Sequence, residues 1–335
     1  MTPRDRIIAA IQHRELDFVQ YLIPIDPEVV ERLNQHYGGT GWRSRIQPFF
    51  RGGGVSWGRE ELPDGTWRDK FGVVWRDSEG RGAWHSVKVP LEEPTLAGYE
   101  FPELLPEEEL AALRESFSRP SELYSYVNIG MTFFERSWAL RGMANILMDF
   151  LLHPAFAHEL FERLMHMHLE VIDRLAELPL DAIRFGDDFG QQRGLIMGVP
   201  VWREFLKPRL KRMYDRTHEL GMQVWIHSCG DNSPVLHDLI EIGVDVYNPF
   251  QPEAHDVYAL KRQFGDRITF EGGIGTQGLL PRGTPEQIRA EVSRLCEEIG
   301  RGGGFIISPT KPIMPDVPTE NAVACVEAIL GQAGR

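Results

Sequence analysis

The residues best suited to chemistry in this sequence are His227 and Cys229, two positions apart in His227-Ser228-Cys229-Gly230. On a strand end, positions i and i+2 share a face, so imidazole and thiol converge on one point. The two form a good zinc pair, and a catalytic zinc needs about one further protein ligand and an open position. The competing reading is a small buried Cys beside a hydrogen-bonded core His. A second feature is Gly186-Asp187-Asp188-Phe189-Gly190. Adjacent carboxylates at a strand end face opposite ways, so one enters the site and the other caps the following segment, unless the stretch is a plain turn. Glu271 precedes Gly272-Gly273, whose missing side chains allow close backbone approach to a ligand. Buried there, its carboxylate needs a cation or donor such as Lys311 or Arg184; otherwise it is a solvated strand-end charge.

Such residues need a scaffold, and from residue 104 onward short apolar segments alternate with long helical ones at βαβ spacing. Strands are expected at 123–129, 181–186, 222–227, 244–248, 267–271 and 304–308, with a seventh at 21–25 and an eighth hidden near 130–140 or 192–197. The intervening helices carry start signals such as Asn232-Ser233-Pro234 and Gly283-Thr284-Pro285-Glu286. The series predicts an α/β chain forming a single (β/α)8 TIM-type barrel over residues 1–335, with a doubly wound open sheet as the alternative. In a barrel, strand C-terminal ends share one mouth. Polar residues do gather at the expected ends: Asp26, Asp187-Asp188, His227 to Gly230, Asn248 to Gln251, Glu271, and Ser308 to Lys311. A dinucleotide fold lacks its Gly-x-Gly-x-x-Gly after the first strand. Residues 38–100 read as an irregular N-terminal insertion, with Trp42, Trp57, Trp67, Trp75 and Trp84 and a hairpin turning at Asp77 to Gly82. Its tryptophans serve either as a lid over an apolar substrate or as packing.

The 335 residues include 36 Lys and Arg against 49 Asp and Glu, a formal charge of −13. That balance argues against a nucleic-acid partner, because phosphate affinity comes from clustered Lys and Arg. No apolar run approaches the ~18 residues of a membrane span, and the charged start Met1 to Ile11 lacks a signal-peptide core; a cytoplasmic location is expected. Cys229, Cys296 and Cys325 are too few and too scattered for a disulfide framework. The latter two read as core residues.

Several motifs, in order, resemble the uroporphyrinogen decarboxylase superfamily, and in particular its branch of cobamide-dependent methyltransferases. They include Arg4-Asp5-Arg6, Asp69-Lys-Phe-Gly-Val-Val-Trp75, Phe134-Glu135, Gly186-Asp-Asp188 with Gln191, and His227-Ser-Cys-Gly230. Asn248-Pro-Phe-Gln251, Gly272-Gly-Ile-Gly-Thr-Gln277 and Pro318-Thr-Glu-Asn321 complete the set. The resemblance implies a one-domain barrel with its site at the strand C-termini. It also implies a zinc on His227 and Cys229 that activates a small-molecule methyl acceptor, and a cobamide carried by a separate corrinoid protein. The branch's third ligand, a Cys, falls at about Lys311 here, leaving Asp188 or Glu271 to replace it. Asp188 and Glu271 are the expected auxiliary ligands or acid-base groups; Asp26, Gln251, Gln277 and Lys311 are expected to contact substrate. True decarboxylases use an Arg-rich N-terminal run to bind their polyanionic tetrapyrrole, and this sequence has none. The alternatives are a metal-independent decarboxylase or lyase of a small carboxylate, and a non-catalytic barrel binding protein.

Overall fold

A computed structural model describes residues 1–78 and 84–332. Seven parallel strands form the main sheet: β1 (Phe50–Gly54), β2 (Tyr124–Ile129), β3 (Ala182–Gly186), β4 (Gln223–His227), β5 (Val246–Phe250), β6 (Thr269–Ile274) and β7 (Phe305–Pro309), in that spatial order. The sheet curls, and helices such as Pro154–Leu175 and Lys207–Glu219 cover its outer face. β5, β6 and β7 are buried along their whole length, as expected of parallel strands covered on both sides. At the β7 edge, Tyr21 and Ile25 make parallel bridges to Ile307 and Ile313, so the segment expected as the first strand runs alongside the last.

The hidden strand is Phe50–Gly54, inside the stretch read as an insertion, and neither sequence candidate holds it. Residues 130–140 contain the helix Phe134–Arg141, and 192–197 fall in and beyond a two-residue hairpin, Gly190–Gln191 with Gly194–Leu195. Three glycines in Phe50-Arg-Gly-Gly-Gly54 removed the β-propensity signal, and packing requires two of them. A Cβ on Gly52 would lie 2.9 Å from the Tyr126 ring, and one on Gly53 3.0 Å from Leu113 and Phe117.

The start signals were sound where a cap was at stake. Thr284 and Gln287 form a reciprocal capping box with Pro285 in the first turn. Asp26 spends its carboxylate on the Glu28 amide at 2.9 Å, capping the helix Pro27–His36.

The rest of the insertion is a small antiparallel sheet of Glu60–Glu61, Trp67–Arg68, Val74–Asp77 and Trp84–Lys88. Of the predicted hairpin turn, Glu79 to Gly82 lie outside the described residues. Trp75 stacks on Trp67, and Trp84 and Trp138 meet Trp75 edge-on, so these rings pack against each other. One buried ion pair ties this sheet to the helix Phe134–Arg141. Asp69 takes Arg136 Nη1 at 2.7 Å together with the Phe71 and Val73 amides and Trp75 Nε1. The guanidinium also lies 3.9 Å from the centre of the Phe71 ring. Among the described residues, no helix is long and apolar enough to cross a membrane.

Removing one partner of a buried pair strands the other charge at a cost of about 3–5 kcal/mol. Asp69→Ala is expected to lower the thermal unfolding midpoint by about 5 °C or more. A midpoint equal to that of the unmodified chain would show that the pair does not hold the insertion down.

Candidate metal centre

Alternation along β3 and β4 builds the site in layers. Arg184 pairs with Trp225 and Gly186 with His227 in the β3–β4 ladder, while His227 pairs with Asn248 on β5. Two residues further along each strand come Asp188 and Cys229. Asp188, His227 and Cys229 each present one ligand atom, all within 4.8 Å of one another. The separations are 3.5 Å from His227 Nε2 to Cys229 Sγ and 3.9 Å from Nε2 to Asp188 Oδ1.

Two loops must touch for this to happen. Gly190 and Gly230 approach so closely that a Cβ on Gly190 would lie 2.5 Å from the Cys229 carbonyl oxygen, and one on Gly230 2.4 Å from Gly190. Gly230 also has φ +85°, where side chains are strained. The Cys229 amide donates to Asp188 Oδ1 at 2.7 Å, the Asp231 amide to the Gln191 carbonyl at 2.7 Å, and the Ser228 amide to the Asn248 carbonyl at 2.8 Å.

The paired carboxylates divide their work. Asp187 is buried and accepts from the Phe133, Phe134 and Glu135 amides at 3.2, 2.9 and 2.8 Å. It therefore caps the helix Phe134–Arg141 across the mouth, a different element from the following segment that the sequence suggested. Burial pushes its pKa up, and the three amides oppose the rise. Asp188 is left to face the mouth.

The capped helix also brings in Glu135, a group the spacing argument missed. Burial and the Asp188 and Asp187 carboxylates push its pKa up to about 8. Phe134-Glu135 belongs to the motifs that carry the resemblance, but spacing gives it no role, because the carboxylates it meets are 52 or more residues away in the chain. Burial, reinforced by Asp188, likewise raises the Cys229 thiol to about 12, against the lowering effect of the Lys311 ammonium. Burial lowers the His227 pKa and favours the neutral ring.

The other expected residues scatter around this centre. Lys311 is exposed and close enough to act on Cys229. Gln251 is buried, with Oε1 3.5 Å from the Gly230 amide. Gln277 is exposed, and its backbone amide donates to Glu253. Asp26 caps its helix, as above. Glu271 lies below the cluster, 2 % exposed, accepting from Trp225 Nε1 at 3.0 Å and facing Arg184 at 3.5 Å. Of its two suggested partners, Arg184 is the one it meets.

One nitrogen, one thiolate sulfur and one carboxylate oxygen suit zinc and leave a fourth position open. Tetrahedral zinc would set nitrogen and sulfur about 3.6 Å apart and nitrogen and oxygen about 3.3 Å apart. The first spacing is already present and the second needs a small rotation of Asp188. One Zn2+ with a thiolate, a carboxylate and a neutral imidazole is also electrically balanced.

Comparison with known proteins gives this geometry a family. The model of the family "Uroporphyrinogen decarboxylase (URO-D)" matches residues 137–331, more than half of the chain and all three clustered residues. The chain belongs to the uroporphyrinogen decarboxylase family. Among its relatives, uroporphyrinogen decarboxylase of Pseudoalteromonas translucida is 38% identical over 69 residues, covering 21% of this chain and 19% of that protein. That of Thermus thermophilus is 27% identical over 176 residues, 52% of this chain and 48% of the relative. The matched segments thus span from about a fifth to about half of these curated relatives. A methylated-thiol–coenzyme M methyltransferase of Methanosarcina mazei is 27% identical over 133 residues, 40% of this chain and 34% of that one. Among solved structures, a methyltransferase from Methanosarcina mazei shares the fold over 98% of both chains, with a TM-score of 0.69 and 17% identity. The methyltransferase-like branch that the motifs resemble is thus represented among the matches.

With its pKa near 12, Cys229 in the metal-free protein should alkylate at a rate that climbs tenfold per pH unit from 7 through 10, because only the thiolate reacts. A plateau near pH 9, followed by mass spectrometry of the Cys229 peptide, would contradict the buried environment.

Proposed function

We propose that the chain is a zinc-dependent methyltransferase of a corrinoid-linked methyl-transfer or demethylation system. The observation that carries this reading is the convergence of Asp188, His227 and Cys229 within 4.8 Å at the ends of β3 and β4. The methyltransferase relative and the solved methyltransferase fold support it. Asp188 takes the place of the third ligand, a thiolate, that Lys311 cannot supply. A bound zinc supplies Lewis acidity, lowering the pKa of a coordinated substrate heteroatom so that it reacts as an anion at neutral pH. The chain's own residues hold the metal, and Glu135 is positioned to hold or return a proton beside Asp188. A cobamide carried by a separate corrinoid protein docked over the mouth would supply or take up the methyl group. The same reading takes residues 21–25 as the first strand of a closed (β/α)8 barrel forming one domain, in the cytoplasm.

One observation favours a second reading. A carboxyl held near pKa 8 at Glu135 is a ready general acid for a metal-independent decarboxylase or lyase.

Zinc-loaded protein, assayed with methylcobalamin and a panel of thiols, separates the two. The methyltransferase reading predicts zinc-dependent methyl transfer that falls at least about 100-fold in Cys229→Ser and about 10–100-fold in Asp188→Asn. Absence of transfer across the panel would sink it. Turnover of a small carboxylate that survives Cys229→Ser and chelation would establish the second reading.

A further inference from the structure

Directly beneath the proposed metal position, four side chains from four adjacent strands form one polar chain that runs from the part-buried His227 and Arg184 to the buried Asn248 and Glu271. His227 Nδ1 meets Asn248 Oδ1 at 2.5 Å, and Arg184 Nη2 donates to the same oxygen at 2.6 Å. Arg184 faces Glu271 Oε2 at 3.5 Å, and that oxygen also accepts from Trp225 Nε1 at 3.0 Å. Asn248 and Glu271 are 3 % and 2 % exposed. The barrel interior at this level is filled, with a cavity of ≈ 10 Å³ among Leu22, Phe50, Tyr126, Arg184 and Trp225.

The donors and acceptors allow one assignment. A guanidinium carries donors only, so the Asn248 atom that faces it must be the oxygen. The other end of the amide agrees, since Nδ2 points at the Glu271 carbonyl oxygen, 3.5 Å away. A flipped amide would set NH2 against guanidinium and carbonyl against carbonyl. With its oxygen fixed, Asn248 can only accept from His227, so the ring proton sits on Nδ1. The neutral ring then presents its lone pair at Nε2, the atom that faces Cys229 and Asp188.

We propose that Asn248, locked by Arg184 and Glu271, is the positioning residue that sets the tautomer of His227 and aims Nε2 at the metal. This rests on the metal-centre reading above and extends it to residues that touch no metal or substrate. It also gives Glu271 a task other than acid-base chemistry: its buried carboxylate faces the part-buried Arg184 guanidinium and keeps that charge in place. An amide oxygen already shared with a cation is a weaker acceptor than a free carboxylate. His227 is thereby oriented without being pushed towards an imidazolate, and the bound metal keeps more of its Lewis acidity.

The test uses the full chain with His ring nitrogens observed by 1H–15N correlation in the metal-free state, followed by zinc affinity. Metal-free wild type is expected to carry the His227 proton on Nδ1. Asn248→Ala is expected to move it to Nε2 and to weaken zinc binding about 10–100-fold. Asn248→Asp keeps an acceptor for both donors and should retain both properties. Should Asn248→Ala fail to fold, Arg184→Leu frees the amide to flip and should give a mixed tautomer, whereas Arg184→Lys should preserve the proton on Nδ1. A wild-type His227 protonated on Nε2, or an Asn248→Ala protein with tautomer and zinc affinity both unchanged, would overturn the proposal. Failure of the metal-centre reading looks different: wild type and every variant would lack zinc while the tautomers still followed this order.

Discussion

Adjacent parallel strands present alternate side chains to the same interior, and in register they stack those side chains into levels. The site depends on that constraint. With Arg184 level with Trp225, and His227 level with Gly186 and Asn248, Asp188 and Cys229 must meet at the next level, where the strands give way to loops. A slip of one residue between β3 and β4 would turn Asp187 inward and leave His227 and Cys229 without an oxygen partner. The ladder hydrogen bonds of the sheet are therefore also what sets the spacing of Asp188, His227 and Cys229, and the Gly190–Gly230 contact carries the register past the strand ends.

Burial then decides the chemical state of each group. The lower interior holds the one arrangement of charge it can tolerate, Arg184 against Glu271, with the Asn248 amide bridging to His227. Nearer the mouth the carboxylates outnumber the cations: Asp187, Asp188 and Glu135 share a half-buried region with Lys311 at its edge. Asp187 is stabilised by helix amides, Glu135 is held near pKa 8, and Cys229 is raised to about 12. A site with surplus negative potential and a thiol beside a neutral imidazole is suited to a divalent cation. The same surplus explains how Lys311 is accommodated beside Cys229.

Much of this was legible in the sequence because it obeys short-range rules. The i, i+2 spacing of His227 and Cys229 predicted convergence without any knowledge of partners, and the Asp187-Asp188 pair announced one inward and one capping carboxylate. Six of the expected main-sheet strands lie within a few residues of their positions, since each is a short apolar run between capped helices. What was not legible depends on contacts distant in the chain. Gly52 and Gly53 hide a strand because their missing side chains accommodate Tyr126 and the helix Glu107–Phe117. Glu135 reaches the site only because Asp187 caps its helix from 52 residues away. Glu271 carries a strand-end signal like that of Asp188, yet its strand places it one level lower, where Arg184 and Trp225 claim it.

The central claim is that one nitrogen, one oxygen and one sulfur from this chain hold a single zinc. X-ray absorption at the zinc edge of the reconstituted protein reads that directly. The account predicts one sulfur scatterer at about 2.3 Å, with nitrogen and oxygen scatterers at about 2.0–2.2 Å making up the rest. A shell without sulfur, or one with two sulfurs, would contradict it.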